Sequence, residues 1–312
     1  MRRALVTGGA GFIGSHLVEA LLARGVQVVV LDDFSTGRAE NLAAWRSHPG
    51  LTVVQGDIRD PGVLARLTAG VDLVFHLAAF VSVPASIAHP LVCLDINAQG
   101  TAQVLEVARQ AGVQRVVLAS SAAVYGQHTT LPLHEDLPPR AQSPYAASKI
   151  ANEALAQAYT QMGLPTVALR FFNVYGPRQR ADSPYAAAIP RFVERLRSGR
   201  PPVIYGDGHQ TRDFVFVRDV VDALLAAAQA PQAPGRVYNV CSGQGVRVLD
   251  LLAELYRFFP KAPEPQFAPP RPGDIRHSVG DPRRAAEELG FRARVSLAQG
   301  LRATLQAASA AS

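Results

Sequence analysis

Residues 4–14 read ALVTGGAGFIG, and this stretch decides the fold. Ala4 to Thr7 is a short apolar strand pattern, the loop Gly8-Gly9-Ala10-Gly11-Phe12-Ile13-Gly14 follows at once, and Ser15 to Ala23 then reads as a helix. Glycines at 8, 11 and 14 allow a tight turn, close approach of backbone N–H groups to a pyrophosphate, and close packing of helix on strand. A glycine loop alone is weak evidence. Its setting between strand and helix strengthens it, as does a second strand ending in Asp32, about 18 residues beyond Gly14, where a carboxylate can accept both hydroxyls of an adenosine ribose.

Working outward, Val26 to Leu31, Leu51 to Gln55, Asp72 to Leu77 and Arg115 to Ala119 read as further strands with helical patterns between them. Apolar runs without period-two alternation mark strands buried on both faces of a parallel sheet, and alternation with helices implies βαβ crossovers. The expected architecture is α/β, a doubly wound parallel sheet of Rossmann type. A helix from Pro144 to Met162 and a strand from Thr166 to Arg170 continue it. After residue 176 the rhythm breaks into short strands at Pro202 to Tyr205 and Asp213 to Val217, with helices at Val217 to Ala230 and Leu249 to Phe259. Residues 1–175 are therefore expected to form the dinucleotide-binding domain. Residues 176–312 would form mainly a smaller α/β lobe for substrate, with some segments returning to the first domain. Pro260 to Pro272 holds six prolines and is expected to be an ordered loop or linker.

The loop residues Gly8, Gly11, Phe12, Ile13 and Gly14, with Asp32, are the expected cofactor contacts, joined by Ala78 past the fourth strand. Asp32 would repel a 2′-phosphate, and although Arg38 is nearby no basic residue adjoins it, so NAD is expected over NADP. Asp57-Ile58, after the third strand, fits the adenine edge; Asp57 as the cap of the next helix is the near alternative.

Composition narrows the partners. The 312 residues contain 29 Arg but only two Lys, Lys149 and Lys261; against 25 acids this gives a net charge of +6, and the pI is near 9.7. The charge raises nucleic acid as a partner, but the arginines are scattered among acids with no basic run or finger spacing, so none is expected. Cys93 and Cys241 are isolated, which leaves neither a disulfide framework nor a metal site. No apolar stretch reaches the roughly 18 residues of a membrane span, and the first residues resemble a strand rather than a signal sequence. No membrane contact is expected, and a cytoplasmic location is the default.

Tyr145 and Lys149 are four apart in a helix, so they share a face. An ammonium near a phenol lowers its pKa and makes it a usable base. In a chain with two lysines, a Lys at that spacing is not an arbitrary cation. Ser120 and Ser121 follow the fifth strand at the carboxyl edge, where ligands bind in open α/β sheets, and either hydroxyl could face a substrate.

With these residues in view, the chain resembles the extended short-chain dehydrogenase/reductase family of nucleotide-sugar enzymes, most closely the UDP-hexose 4-epimerases. GGAGFIG at 8–14, SSAAVYG at 120–126, SPYAASK at 143–149, RFFNVYGPRQ at 170–179, TRDFVFVRDV at 211–220 and RPGD at 271–274 occur in the family's order. The resemblance implies that Tyr145 is the base, Lys149 binds the nicotinamide ribose, and Ser121 shares the proton of the sugar 4-hydroxyl. It implies that Asn173, Arg212 and Arg271 bind the diphosphate of a UDP-sugar, and that Asp274 contacts the nucleoside ribose. At Val81 this chain departs from those 4-epimerases that carry a Lys there near the nicotinamide ribose, so that secondary contact is not expected.

Family members differ after forming a 4-keto sugar. The 4,6-dehydratases place an Asp-Glu pair directly before the valine of VYG, and decarboxylating relatives keep a Glu there. Here Ala122 and Ala123 stand instead, and a methyl group transfers no proton, so 4-epimerisation with tightly bound NAD is expected. Ser278 matches a position that is a bulky Tyr in epimerases restricted to plain hexoses. Its small size is expected to admit UDP-N-acetylglucosamine and UDP-N-acetylgalactosamine beside UDP-glucose and UDP-galactose. The alternatives are a UDP-uronate 4-epimerase, with Arg178, Arg180 or Arg191 meeting the extra carboxylate, less readily a dehydratase or decarboxylase, and a non-catalytic dinucleotide sensor on the same fold. Relatives are often homodimers through two helices, and Gln99 to Gln110 and Pro144 to Met162 are the candidate segments.

Overall fold

The computed structural model describes residues 1–181, 188–270 and 275–310. Its strands, in chain order, are β1 (Arg3–Thr7), β2 (Gln27–Asp32), β3 (Leu51–Gln55), β4 (Leu73–His76), β5 (Arg115–Ser121), β6 (Thr166–Phe171), β7 (Asn173–Tyr175), β8 (Val203–Tyr205), β9 (Thr211–Phe216), β10 (Val237–Val240), β11 (Gly245–Arg247), β12 (Gln266–Ala268) and β13 (His277–Ser278). Seven of them form one parallel sheet in the order β10-β6-β5-β4-β1-β2-β3. This is the doubly wound α/β architecture. The strand order reverses between β1 and β4, so their carboxyl ends open the crevice in which such sheets bind ligands.

The β-branched runs become these strands because both faces of the sheet are covered, except at β3, the exposed edge. Leu5 and Val74 face one helical layer, which includes Pro61–Thr68 and Gly100–Gln110. Val6 and Val30 face the other, which includes Phe12–Leu22 and Val217–Gln229. The chain thus returns to the sheet twice after leaving it: the Val217–Gln229 helix packs beside the Phe12–Leu22 helix, and β10 pairs with β6 at the sheet edge.

Around β9 gathers a smaller sheet of β7, β11 and β13, while β8 pairs with β12. Their apolar faces form a third core with the helices Ala188–Arg197 and Val248–Tyr256. Two details depart from expectation. β5 runs on through Ser121 because Ser120 and Ser121 continue the ladder opposite Arg170 and Phe171 of β6. The proline-rich stretch also contains a strand, β12, confined to the residues between Pro265 and Pro269. Proline cannot donate to a ladder, so the strand stays short and at an edge. No described helix is long and apolar enough to cross a membrane.

Candidate active site

The glycine loop leaves β1 and enters the Phe12–Leu22 helix under tight steric constraint. Gly8 has φ +70°, and a Cβ there would lie 2.7 Å from the backbone N of Ala78, just beyond β4; a Cβ on Gly14 would lie 2.1 Å from the carbonyl of Gly8. Only glycine fits either place. Gly11 is the N-cap of the helix, with no side-chain cap and no acid in the first turn, so the helix's leading N–H groups face the loop uncompensated. Asp32 ends β2 beneath it. Its carboxylate accepts from Ala10 N and Phe34 N, both at 2.9 Å, and burial raises its pKa while those N–H groups oppose the shift. A carboxylate has about four lone-pair positions, so acceptor capacity remains for ribose hydroxyls. A cradle without side chains, an uncapped helix start and a carboxylate at the strand end fit NAD.

The adenine end differs from one expectation. Asp60, not Asp57, caps the Pro61–Thr68 helix, accepting from Gly62 N at 2.9 Å and Val63 N at 3.1 Å. Asp57 instead accepts from Arg59, which also pairs with Asp95, and the guanidinium holds Asp57 below the usual carboxylate range. Ile58 is buried against Gly100. Below the loop, His76 lies between Thr7 Oγ1 (2.7 Å) and Thr101 Oγ1 (2.9 Å), and burial pushes it down to about 3, so it is a neutral strut between β1, β4 and the next helix.

The catalytic candidates come from β5 and the Pro144–Gln161 helix. Ser143 caps this helix through Ala146 N (3.1 Å), with Pro144 at its start, and Tyr145 and Lys149 stand one turn apart. Ser121 Oγ accepts from Ala123 N at 3.1 Å and lies close enough to the Tyr145 phenol to favour its ionised form. Lys149 is buried, donates to Ala119 O at 2.9 Å and lies 5.8 Å from the centre of the Tyr145 ring. The structure changes the electrostatic expectation. Burial raises the phenol's pKa, and the neighbouring Ser121 hydroxyl opposes the rise. Lys149 is itself pushed down to about 8 by burial. Val81 is 62% exposed, away from this pair's buried floor.

Ser120 takes no place beside Ser121. Adjacent strand residues point to opposite faces, and Ser120 Oγ donates to Glu153 Oε1 at 2.5 Å. Glu153 also receives Arg170 through Nε (2.8 Å) and Nη2 (2.7 Å), and the guanidinium stacks 4.7 Å over the Tyr125 ring. Sequence reasoning missed this buried network, and also Asn97. Asn97 lies in a π-helical turn, Asp95–Gln99; its Oδ1 accepts from Phe80 N (2.7 Å), and its Nδ2 donates to Phe80 O and to Ser148 Oγ, both at 3.0 Å. It fastens the loop after β4 to the catalytic helix between Tyr145 and Lys149. An Asn in mid-helix was the available signal, since Asn is a poor helix former.

Strand registers lead from the chemistry to the lobe. Ser121 pairs with Phe171; Asn173, two residues on, pairs with Phe214 of β9; and Arg212, two residues before Phe214, pairs with Ser278 of β13. Asn173 and Arg212 line a cleft of about 300 Å³, with Gln179, Arg191, Tyr205 and Gln210 among its walls. None of its described lining residues is acidic. Ser278 is 7% exposed, on the strand next to Arg212 but not on the cleft wall. Arg178 pairs with Glu19 at 2.7 Å, and Arg180 donates to Thr36 O, so of the three arginines considered for a uronate only Arg191 lines the cleft. Arg271 and Asp274 lie outside the described residues.

Comparison with known proteins agrees with this geometry. A model of the NAD dependent epimerase/dehydratase family matches residues 4–241. The chain is 42% identical over 309 residues to a UDP-glucose 4-epimerase of Mycolicibacterium smegmatis, covering 97% of each. It is 38% identical to a dTDP-glucose 4,6-dehydratase of Streptomyces griseus, covering 96% of this chain and 92% of that one. The solved structure of the Thermus thermophilus UDP-glucose 4-epimerase in complex with NAD superimposes with a TM-score of 0.90 at 39% identity, covering 99% of this chain and 100% of that one.

Proposed function

The chain belongs to the NAD dependent epimerase/dehydratase family and is an NAD-dependent enzyme of nucleotide-sugar chemistry; from that premise we propose that it is a UDP-hexose 4-epimerase. Relatives with the same fold and length include both epimerases and dehydratases, so overall likeness does not choose between them. The observation that carries the proposal is Ala122-Ala123, directly after Ser121 at the end of β5. Elimination across C5 and C6 needs a general acid and a base at the sugar, and neither methyl group supplies one.

Gly8, Gly11 and Gly14 with Asp32 hold the cofactor, Phe12, Ile13 and Ala78 border it, Asp57 and Ile58 lie at its adenine end, and Lys149 meets the nicotinamide ribose. When bound, NAD supplies reversible hydride exchange at C4. Tyr145 takes the proton of the 4-hydroxyl and later returns it, while Ser121, the hydroxyl beside the phenol, shares that proton. Asn173 and Arg212, with Arg271 and Asp274 beyond the described residues, hold the UDP portion. The ketone then turns about that fixed anchor and presents its other face. N-acetylhexosamines are proposed as substrates beside plain hexoses, on the small size of Ser278, which acts from behind the cleft wall as the register partner of Arg212.

The test is a panel of UDP-glucose, UDP-N-acetylglucosamine and UDP-glucuronate followed by chromatography of the products. Interconversion of 4-epimers without net NADH is the expected result; a 4-keto-6-deoxy sugar or released carbon dioxide would overturn the assignment. Turnover of the uronate alone would assign the site to the alternative substrate and place its carboxylate at Arg191. A protein that holds NAD but turns over nothing would fit a sensor.

The chain is further proposed to be a homodimer. Val83, Ile87, Leu91, Val92 and Leu94 are exposed on two short helices, Val83–Ala88 and Pro90–Leu94, that pack on the catalytic helix. The Gly100–Gln110 helix, by contrast, turns Val104, Leu105 and Val107 inward. Clustered apolar exposure beside the proposed helices supports an interface there. Leu91→Glu should convert a dimer to a monomer in sedimentation analysis.

A further inference from the structure

Two amide side chains on the cleft wall have one end tied and the other unpartnered. Gln210 is 8% exposed and donates through Nε2 to Tyr205 O at 2.8 Å; Gln179 donates through Nε2 to Val174 O at 3.0 Å. A carbonyl partner accepts only from a donor, so each contact fixes which end of the amide is nitrogen. The opposite atoms, Gln210 Oε1 and Gln179 Oε1, are buried and have no hydrogen-bond partner. Both residues line the cleft that holds Asn173 and Arg212. Buried carbonyl oxygens are normally satisfied, and an orphaned one disfavours the state that leaves it so.

Resting on the nucleotide-sugar reading of this cleft, we infer that Gln210 and Gln179 are specificity-determining acceptors, each taking one N–H or O–H donor from a different half of the ligand. Their positions separate the halves. Gln179 is tied to Val174, next to Asn173 and three residues past Phe171, the register partner of Ser121, so it belongs to the wall that continues from the catalytic strands. Gln210 is tied to Tyr205 at the end of β8, whose ladder with β12 is separate from the sheet that carries the catalytic residues. With the diphosphate at Arg212, Gln179 accepts a hydroxyl of the hexose. Gln210 accepts from the nucleoside half, whose donors are the imide N–H of a uracil or thymine and the ribose hydroxyls. Neither amide has a hydrogen left to offer at that end, so a ligand presenting only an acceptor there meets carbonyl against lone pair.

The experiment is calorimetric titration of the NAD-loaded protein with UDP, UDP-glucose, CDP and 2′-deoxy-UDP, on the unmodified chain and on Gln210→Met and Gln179→Met. Methionine keeps side-chain length and removes the acceptor. Gln210→Met should weaken UDP and UDP-glucose alike, by about tenfold or more, whereas Gln179→Met should weaken UDP-glucose and leave UDP unchanged. On the unmodified protein, a loss with CDP assigns the Gln210 donor to the imide, and a loss with 2′-deoxy-UDP assigns it to the ribose. In Gln210→Met that difference should disappear. Equal affinity for UDP, CDP and 2′-deoxy-UDP on the unmodified protein overturns the role of Gln210 without needing a variant. Equal weakening of UDP and UDP-glucose by Gln179→Met overturns the division between halves. If the unmodified protein binds none of the four, it is the nucleotide-sugar reading itself that fails.

Discussion

Replacing Glu153 with Leu should be among the most destabilising single changes in this chain, and replacing its partner as well should recover much of the loss. Glu153 and Arg170 are both more than nine-tenths buried, and the carboxylate receives Arg170 Nε at 2.8 Å, Arg170 Nη2 at 2.7 Å and Ser120 Oγ at 2.5 Å. Glu153→Leu leaves a guanidinium in the interior with two donors unsatisfied, a loss of about 3–5 kcal/mol. Arg170→Met in that background removes the stranded charge. It also removes the stack on Tyr125 and the 3.3 Å bond to Glu135 O, and Ser120 still lacks its acceptor, so the double variant should remain about 2 kcal/mol below the parent. The net recovery is therefore on the order of 1–3 kcal/mol. Urea unfolding of NAD-saturated protein, followed by circular dichroism and calorimetry on all four forms, measures it. A double variant at least as unstable as Glu153→Leu alone would refute the stranded-charge account and leave lost packing as the cause.

Three further outcomes are expected. Tyr145→Phe should retain NAD after gel filtration and lose about 10²- to 10⁴-fold in turnover, the usual contribution of a positioned acid or base; unchanged kcat would rule Tyr145 out as the proton carrier. Lys149 is buried with its pKa pushed down from 10.5 to about 8, so the unfolded chain binds more protons between those values, and this residue's contribution to stability should rise by roughly 3 kcal/mol as pH goes from 8 to 10.5. The difference in unfolding free energy between parent and Lys149→Met should therefore change with pH across that window in NAD-free protein, and a constant difference would contradict it. Gly14→Ala puts a Cβ 2.1 Å from Gly8 O, backbone that cannot swing aside, so it should lower stability by about 1–3 kcal/mol or more and raise the NAD dissociation constant. Parent-like melting and NAD affinity would show that the loop adjusts freely.

The parts legible in sequence are those whose physics repeats along the chain. β1, β2, β4, β5 and β6 are recognisable because burial on both faces demands unbroken apolar runs, the exposed edge strand β3 by its β-branched residues, and the ends of all six shift by only a residue or two. β10 was less readable: its Tyr238 and Asn239 look like a loop, yet Asn239 is buried with its amide donating to Leu133 O and its carbonyl accepting from Tyr125. At the site, a helical spacing reveals Tyr145 and Lys149, and glycine spacing reveals the cofactor loop. Asp60-Pro61 was a readable cap, with Pro at the first helical position, passed over for Asp57. Glu153 with Arg170, and the two glutamines of the cleft, had no such mark. Each depends on a partner brought near by tertiary structure, and no periodicity records that.

The uneven use of Arg and Lys gains meaning only from these surroundings. Arg191, Arg195 and Arg212 all line a cleft with no described acid, where a fixed charge and a planar fork suit phosphate oxygens. Arg170 is buried, but it has a carboxylate to pair with. Lys149 is buried against a backbone carbonyl, below a phenol, with no carboxylate bonded to it. A guanidinium there would stay charged at any ordinary pH and would not fit the single-point contact to Ala119 O. An ammonium fits that contact and can release its proton near pH 8, so the charge beneath Tyr145 is adjustable where an arginine's would be permanent. Adjustability cuts both ways: burial also holds the phenol high, so neither group is set for proton transfer by the protein alone. The positive charge of an oxidised nicotinamide near Tyr145 would favour the phenolate, by the ordinary rule that an opposite charge stabilises the ionised form. The proton-accepting form would therefore be most populated in the cofactor state that accepts hydride, which would couple proton removal to oxidation without any further residue.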